Sequence, residues 1–222
     1  MDRKSVNNNY EQVKDDLVTL LKNKSMKIML EDVDCGYGHE VDTKQTTLLY
    51  AATMYKAFME LLGIEEDDNS RDTAYRVAKM MSEKTGGIRE KPPELTCFPV
   101  GKYNQYVAVK DIPYFSICSH HHVPFYGHAH ICYWPKDKLV GISKFARVVT
   151  HFANKPQIQE GMTTEILEHL HKGLDPKGIV VIVEGEHLCM TSRGAKAVGS
   201  STITQQVKGD IDIKEALSML KG

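Results

Sequence analysis

The sequence has 222 residues, of which 41% are hydrophobic and 26% are charged, an ordinary composition for a soluble globular protein. Its formal net charge of −1 argues against a general nucleic-acid binder, which carries a strong excess of Lys and Arg. No apolar run approaches the roughly 20 residues of a membrane span, and the first residues lack a secretory signal. The five cysteines are an odd number at irregular spacing, which argues against a disulfide framework. We therefore expect a cytoplasmic protein with no nucleic-acid or membrane partner.

The first third of the chain is predicted to be helical. Residues 10–23 can form a short amphipathic helix within an N-terminal segment, 1–44, to which we assign no role. A second helix is expected at about 45–63, with Gly63 as its stop. Its apolar residues recur at helical spacing: Ala51, Met54, Tyr55, Phe58 and Leu62. A third helix follows, with Asn69 or Ser70 as its N-cap and Gly86-Gly87 at its end.

The periodicity of the apolar residues then changes from helical to strand-like. We expect strands at 106–111 and 125–134, helices from Ser143 and over 157–173, and strands at 179–183 and 195–207. Helices thus come first, followed by strands, two helices and further strands. This order predicts an α+β fold, because repeated βαβ units are missing.

One segment, Ile117 to His130, reads ICSHHHVPFYGHAH and contains five of the ten histidines. Cys118 and His121 are three residues apart, a spacing at which one turn can hold one metal ion. His187 and Cys189 form a second Cys/His pair directly after the buried strand. The two pairs can make a four-ligand structural site or a three-ligand catalytic site with spare histidines, and spacing alone does not choose between them.

Basic residues form a candidate anion site. Ser143 can cap a helix whose first turns carry Lys144 and Arg147, and a helix N-terminus with such cations attracts phosphate. An ordinary capped surface helix would show the same pattern. Arg193 adds a further cation after the second Cys/His pair.

Two further pairs of polar residues lie on predicted helices. Arg76 and Lys79 share one helical face, where basic pairs are common. Gln159 and Glu160 can read the donor-rich edge of a purine or pterin, although the sequence alone favours a solvated helix face for this pair.

Taken together and in order, these motifs resemble the GTP cyclohydrolase I family. The matching segments are TAYRVAKM, CSHHHVPFYGHAH, VGISKFARVV, QIQE and EHLCMTSRG, which span about residues 45 to 210. The resemblance implies a tunnelling fold (T-fold), an α+β subunit whose sheet joins those of its neighbours in an oligomeric barrel. It places a catalytic domain at 45–222, with helices at 45–87 and the T-fold at 105–210. It also implies a homo-oligomer, commonly a decamer, with active sites between subunits.

The resemblance also implies a role for each matching residue. The zinc (Zn2+) ligands would be Cys118, His121 and Cys189. The catalytic residues would be His120 and His187, which transfer protons, and Ser143, which assists the sugar step. The substrate-binding residues would be Arg76, Lys79, Ser143, Lys144, Arg147, Gln159, Glu160 and Arg193.

The implied reaction opens the imidazole ring of the guanine of GTP, releases formate and forms 7,8-dihydroneopterin triphosphate. Three residues replace others of the family pattern: Ser119 replaces a glutamate, His122 a leucine and Gly161 an arginine. In addition, Lys155-Pro156 stands where the family often has two arginines. These departures keep open a related enzyme that acts on another purine nucleotide. A non-catalytic zinc-binding T-fold protein is a further alternative, against which the spare histidines His120 and His187 argue.

Overall fold

The computed structural model describes residues 43–220. The predicted helix at 10–23 and the rest of the N-terminal segment up to residue 42 lie outside the described residues. The chain divides into two compact units, with the boundary between Ser82 and Glu83. No helix within residues 43–220 combines the length and the apolarity needed to cross a membrane.

The first unit contains helix α1, Thr43–Leu61, and most of helix α2, Thr73–Lys84. Helix α1 ends as predicted, because Gly63 adopts a φ of +69° and the Ile64 N–H donates to the Met59 carbonyl at 3.0 Å. The residues that α1 buries are Ala52 and Met59. The large apolar side chains of the predicted face are exposed in this chain: Met54, Phe58 and Leu62.

Helix α2 begins at Thr73, three residues later than a cap at Asn69 requires and two later than a cap at Ser70 requires, so the expectation of either as N-cap is wrong. Ser70 is used in a preceding turn, where its hydroxyl donates to the Asp67 carboxylate at 2.6 Å. The same carboxylate accepts the backbone N–H groups of Asn69 and Ser70. This Asx turn satisfies the local polar groups before the helix starts.

The second unit is built on a five-stranded sheet with the strand order β5-β2-β3-β6-β7. All neighbours in it are antiparallel except the parallel pair β2 and β5. A separate antiparallel pair joins β1 and β4. The strands are β1 Cys97–Pro99, β2 Val107–Cys118, β3 Pro124–Trp134, β4 Lys138–Val140, β5 Pro156–Gln157, β6 Gly178–His187 and β7 Thr202–Gly209.

Two long helices cover one face of this sheet and a short one covers part of the other. The helices of the unit are α3 Gly86–Arg89, α4 Ser143–Ala153, α5 Gln159–Leu174, α6 Leu188–Thr191 and α7 Ile213–Leu220. Helices α4 and α5 pack their apolar sides on alternate residues of β2, β3 and β6, which form the main core. Ala216 and Leu220 of α7 cover Cys132 and Val180 on the opposite face.

The α+β class is confirmed, and the strands and helices predicted within the described residues are present with shifted ends, whereas the short elements were not predicted: β1, β4, β5, α3, α6 and α7. Strand β2 continues to Cys118 because a bulge between Val109 and Ile112, with Asp111 at a φ of 57°, allows pairing to resume. Strand β7 begins at Thr202, because the residues before it form turns. Helix α7 was not predicted at all.

Candidate active site

The candidate site lies where strands β2 and β6 end. In the sheet, Ile117 pairs with Pro124 and Phe125 pairs with His187, so the end of β6 lies beside the turn that joins β2 to β3. Cys118 is the last residue of β2, and its backbone N–H and carbonyl both bond within this turn. Antiparallel pairing across β3 therefore brings together two segments that are about 70 residues apart in the sequence.

Three side chains converge there into a group that can hold a metal ion. The ligand atoms of Cys118, His121 and Cys189 all lie within 4.8 Å of one another. Ligand atoms around a tetrahedral zinc ion are about 3.5 Å apart, so only small movements are needed to bind one. Two thiols and one imidazole are also donors that zinc prefers, and three protein ligands leave one position for water or substrate.

The two thiols of the group are buried to different degrees and contact each other. Burial first, and then a hydrogen bond with Cys118, raise the pKa of Cys189 above its usual value. A bound cation reverses this preference, because it stabilises thiolate and releases the protons. Without a cation this environment favours the neutral thiol of Cys189, so metal binding there would be coupled to release of its proton.

Two of the other predicted site residues contact the side chains of Cys118 and His121 directly. His120 Nδ1 lies 3.6 Å from Cys118 Sγ. The Arg193 guanidinium donates to His121 Nε2 at 2.8 Å. Both His120 and Arg193 are exposed, so they can also reach a bound ligand.

The second predicted histidine, His187, is held from two sides. Its ring stacks on Phe125, with centroids 4.8 Å apart and planes 4° from parallel. Its Nε2 lies 2.9 Å from Gln159 Oε1. Burial lowers the pKa of His187 below its usual value, and the charge of Glu160 opposes this shift.

Gln159 lies deeper than the sequence pattern indicated, with only 1% of its surface exposed. Its amide nitrogen donates to the carbonyls of Val183 and Thr202, at 2.9 and 3.0 Å, and to Thr204 Oγ1 at 3.1 Å. These bonds occupy the side chain that we expected to read a purine, and its role in substrate binding stays a prediction. Its partner Glu160 is exposed at the start of α5.

Sequence reasoning missed the threonines that surround Gln159. Thr163 Oγ1 donates to the backbone carbonyl of Gln159 at 2.7 Å and lies 2.6 Å from Thr204 Oγ1. Thr163 follows Gln159 by one helical turn, a spacing that places the two on one face. No local pattern pointed to Thr204, because its link to Gln159 depends on how β7 pairs with β6.

Ser143, Lys144 and Arg147 form a separate group at the start of α4. Ser143 and Arg147 are exposed and Lys144 is half-buried. Ser143 is the first helical residue and Ile142 occupies the cap position, with no side-chain hydrogen bond, so the predicted capping by Ser143 is wrong. The Ser143 hydroxyl is therefore not required to cap the helix.

Arg76 and Lys79 lie on helix α2 and belong to the first unit. Both are exposed, and Arg76 Nη2 lies 3.5 Å from Asp72 Oδ2. A surface pair of this kind is weak, so the Asp72 contact leaves Arg76 available for another anion.

The three departures from the family pattern lie around the site. Ser119 is exposed, and its backbone N–H donates to the Gln157 carbonyl at 2.9 Å. His122 is exposed in the turn and has a φ of +52°, a left-handed conformation that histidine adopts more readily than most residues. A Cβ atom on Gly161 would meet Ile158 and Gln157 only at 3.6 and 3.7 Å, so a side chain fits there.

Comparison with known proteins identifies relatives over most of the chain. The family profile described as GTP cyclohydrolase I matches residues 51–220. GTP cyclohydrolase 1 of Carboxydothermus hydrogenoformans is 44% identical over 157 residues, which cover 69% of this chain and 82% of that protein. GTP cyclohydrolase 1 of Geobacillus kaustophilus is 42% identical over 183 residues, 78% of this chain and 97% of that protein. The Streptococcus agalactiae protein of the same name is 46% identical over 155 residues, 68% of this chain and 83% of that protein.

A solved structure aligns more weakly. The apo form of the archaeosine synthase QueF-Like gives a TM-score of 0.41 at 17% identity, over 50% of this chain and all of that chain, which is too low to establish a shared fold. The family profile, in contrast, covers more than half of the sequence, and the relatives are well above 30% identical. The chain therefore belongs to the GTP cyclohydrolase I family, and the resemblance and its α+β tunnelling fold are confirmed.

Proposed function

We propose that this protein is a GTP cyclohydrolase I, a hydrolase that opens the imidazole ring of the guanine of GTP. The products are formate and 7,8-dihydroneopterin triphosphate. One observation carries the proposal: Cys118, His121 and Cys189 converge within 4.8 Å, in a chain whose relatives are named GTP cyclohydrolase 1. His120 contacts Cys118 and His187 precedes Cys189 by two residues, and a purely structural metal site would not need these additional histidines.

The proposed cofactor is zinc, held by Cys118, His121 and Cys189. When bound there, zinc supplies a Lewis acid that makes water nucleophilic near neutral pH. Water must attack C8 of the purine, and protonation of N7 makes that carbon more electrophilic. We assign the proton transfers to His120 and His187, whose imidazoles suit exchange near neutral pH.

The remaining predicted residues are proposed to bind and orient the nucleotide. Lys144, Arg147 and Arg193 supply charge for the triphosphate, and the exposed Glu160 can accept from the guanine edge. Ser143, whose hydroxyl is not used as a helix cap, is proposed to assist the sugar rearrangement.

We also propose that the protein works as a homo-oligomer, with the decamer as the expected form. Met54 and Phe58 of α1 and Leu62, just after it, are more than half exposed, and such apolar side chains are suited to burial between subunits. Arg76 and Lys79 of α2 would then serve the phosphates of a neighbouring subunit. The four described cysteines are free thiols, which suits a cytoplasmic location.

The test is formate release from GTP, measured together with the ultraviolet absorbance of the pterin. Zinc-loaded protein should form both products, and His120→Ala and Cys118→Ser should form neither. Cys97→Ser is the matched control, because Cys97 is a half-buried thiol outside the site and should retain zinc and activity. If folded, metal-loaded protein forms neither product, the proposal is wrong.

A second substrate separates the proposal from its closest rival. The sugar rearrangement needs the ribose 2′-hydroxyl, so dGTP should give no dihydroneopterin product. Preferred turnover of dGTP or another purine nucleotide over GTP would favour a related enzyme and direct attention to Gly161 and Ser119.

A further inference from the structure

His130 lies in strand β3 on the face of the sheet opposite the main core, and the proposed mechanism does not use it. Its side chain is only 12% exposed. It lies opposite the bulge of β2, where two residues, Lys110 and Asp111, face this single residue of β3. The backbone N–H of Asp111 donates to His130 Nδ1 at 3.1 Å. The ring thus satisfies a backbone donor that the bulge leaves without a partner in the neighbouring strand.

This hydrogen bond requires a lone pair on Nδ1 of His130. A backbone N–H can only donate, so Nδ1 must be the acceptor, and a neutral ring that accepts there carries its proton on Nε2. A positively charged ring has a proton on both nitrogens and cannot accept the bond. The contact between His130 and the bulge therefore holds only while the ring is neutral.

Two carboxylates offer the charged ring a different set of contacts. Asp111 Oδ1 lies 3.8 Å from Nδ1 of His130, and Glu184 Oε1 lies 3.8 Å from Nε2. The side chains of Asp111 and Glu184 are 65% and 47% exposed, so a shift of about 1 Å toward hydrogen-bond distance is open to both. On protonation, Nδ1 would exchange the backbone N–H of Asp111 for the carboxylate of the same residue. A proton thus selects between two arrangements of the bulge.

The other side chains around the ring leave this choice to the two carboxylates. Strand β7 presents uncharged side chains on this face, Ile203, Gln205 and Val207. Helix α7 covers the same face further along, at Cys132. The other charged or titratable groups of the surrounding elements are Lys110 in the bulge, His128 two residues away on β3, and Lys214 and Glu215 on α7. Of all these groups, Asp111 and Glu184 are the ones whose oxygens face the ring nitrogens.

We propose that His130 is a pH-sensitive switch of the β2 bulge. The neutral ring holds the Asp111 N–H and keeps the bulge in its present form, and the protonated ring turns to the carboxylates and releases it. Asp111 has a φ of 57°, a left-handed conformation that costs free energy and needs support from its neighbours. Loss of the hydrogen bond removes part of that support, so protonation should loosen the bulge.

The switch acts on an open edge of the sheet. Within residues 43–220, the strand that pairs with this side of β2 is β5, and it reaches only Ile117 and Cys118. Pro113, two residues beyond the bulge, is typical of an edge strand because it lacks an N–H for a ladder. An open edge can pair with a strand of another copy, and a loosened bulge would make that pairing less favourable. This consequence for assembly rests on the proposed homo-oligomer, whereas the switch itself does not.

The direct test is hydrogen exchange of the Asp111 amide, followed by mass spectrometry with fragmentation to single amides. Rates at about pH 8 and about pH 5, between which histidine changes charge, are divided by those of the unfolded chain at the same pH. In the wild type we expect this ratio to rise about 3- to 10-fold on acidification, the usual effect of losing one hydrogen bond. An unchanged ratio would overturn the proposal.

Two substitutions of His130 separate the switch from a general effect of acid. His130→Asn supplies an amide oxygen in place of Nδ1 that does not titrate, so the Asp111 amide should stay protected at both pH values. His130→Leu removes the acceptor, and exchange should be fast at both. His128→Asn, at an exposed histidine on the same face, is the control and should behave like the wild type. A His130→Asn variant as pH-dependent as the wild type would contradict the assignment.

A third variant keeps the test decisive if neither His130 variant folds. Asp111→Asn keeps the backbone N–H and a side chain suited to a left-handed φ, but it removes one of the carboxylates that favour the charged ring. Release of the amide should then need a lower pH than in the wild type. Release at the same pH would overturn the role of the carboxylate in the switch.

Sedimentation velocity tests the consequence for assembly. We expect wild-type subunits to associate about 3- to 10-fold more weakly at pH 5 than at pH 8, the same factor as the opening of the bulge, and His130→Asn to lose this part of the pH dependence. Full pH dependence in His130→Asn would contradict the link to assembly. A wild-type protein that is monomeric at both pH values but shows pH-dependent exchange at Asp111 would contradict the proposed oligomer and leave the switch intact.

Discussion

Arg193 and His121 are in direct contact, with the guanidinium 2.8 Å from Nε2 of the imidazole. A residue predicted to bind phosphate is thereby bonded to a residue predicted to bind metal. A neutral imidazole has one lone pair, and here it accepts from Arg193. A metal ion that binds either ring nitrogen needs that lone pair, so metal binding and this hydrogen bond exclude each other.

Replacing Arg193 should therefore have opposite effects on the binding of zinc and on the binding of GTP. We expect Arg193→Ala to bind zinc roughly 3- to 10-fold more tightly, because a competing charged hydrogen bond and a repelling charge are lost. The KM for GTP should rise, because a phosphate-binding cation is lost. Zinc affinity can be measured by competition with a chromogenic chelator. Arg89→Ala, at an exposed arginine outside the site, is the control, and weaker zinc binding in Arg193→Ala would refute the explanation.

Gly185 should not tolerate a side chain. Gly185→Ala would place a methyl group against the Tyr114 hydroxyl and 2.9 Å from the Tyr126 carbonyl. We expect the free energy of unfolding to fall by about 1–3 kcal/mol, the usual cost of overpacking. Denaturant unfolding measures this change. Gly86→Ala is the matched control, because its new Cβ would meet Glu90 only at 3.5 Å, and an equal loss in both variants would contradict the packing argument.

Two other glycines should respond to alanine with opposite signs. Gly161 lies in α5 with room for a Cβ, so Gly161→Ala should raise the free energy of unfolding by up to about 1 kcal/mol. Gly209 has a φ of +80°, and its new Cβ would lie 2.9 Å from the Gly178 Cα, so Gly209→Ala should lower it. Thermal unfolding of the two variants side by side tests the pair. A loss of stability in Gly161→Ala would show that the fold requires glycine at this position.

His151 should make stability depend on pH. Burial first, and then the charge of Lys155, lower the pKa of His151 below its usual value of 6.5, while Glu90 and Glu165 oppose the shift. The unfolded chain therefore binds this proton more readily, and the stability that neutral His151 contributes is lost as the pH falls below about 6.5. We expect the drop in Tm between pH 7.5 and pH 5.5 to be smaller in His151→Gln. His128→Gln, at an exposed position of the sheet, should keep the wild-type drop, and equal drops in all three proteins would refute the assignment.

The candidate metal site was predictable because its cysteine and histidine residues lie in two short sequence motifs. Cys118 and His121 are three residues apart and His187 and Cys189 follow a buried strand, so spacing indicated one shared metal site, and the resemblance to the family selected Cys118, His121 and Cys189 as its ligands. The position of Gln159 was not predictable in this way. Its polar neighbours in the sequence suggested a solvated helix face, whereas its burial comes from Thr202 and Thr204, more than 40 residues later. Such contacts depend on the long-range pairing of strands, which the local periodicity of the sequence does not reveal.

The same reason explains the errors in the fold. The apolar alternation of β2 is interrupted at Asp111, and only pairing with β3 shows that the strand continues beyond the bulge. Helix α7 is eight residues long, which is too short to show a clear helical periodicity in the sequence. Only the structure reveals it, through its packing on Cys132 and Val180. Long periodic elements such as α4, whose buried side chains recur at helical spacing, were predicted closely.

The meeting of β2 and β6 at one end of the sheet also sets an order of events during protein synthesis. A growing chain that has passed Cys118 and His121 holds only two of the three proposed metal ligands until residue 189 has left the ribosome. The ring of His187 is oriented later still, because Thr202 and Thr204 arrive with the last strand. Domains generally fold as units during synthesis, so metal loading and alignment of the histidine would follow the synthesis of β7. A nascent fragment that ends before Thr202 would therefore carry the ligands without an oriented histidine.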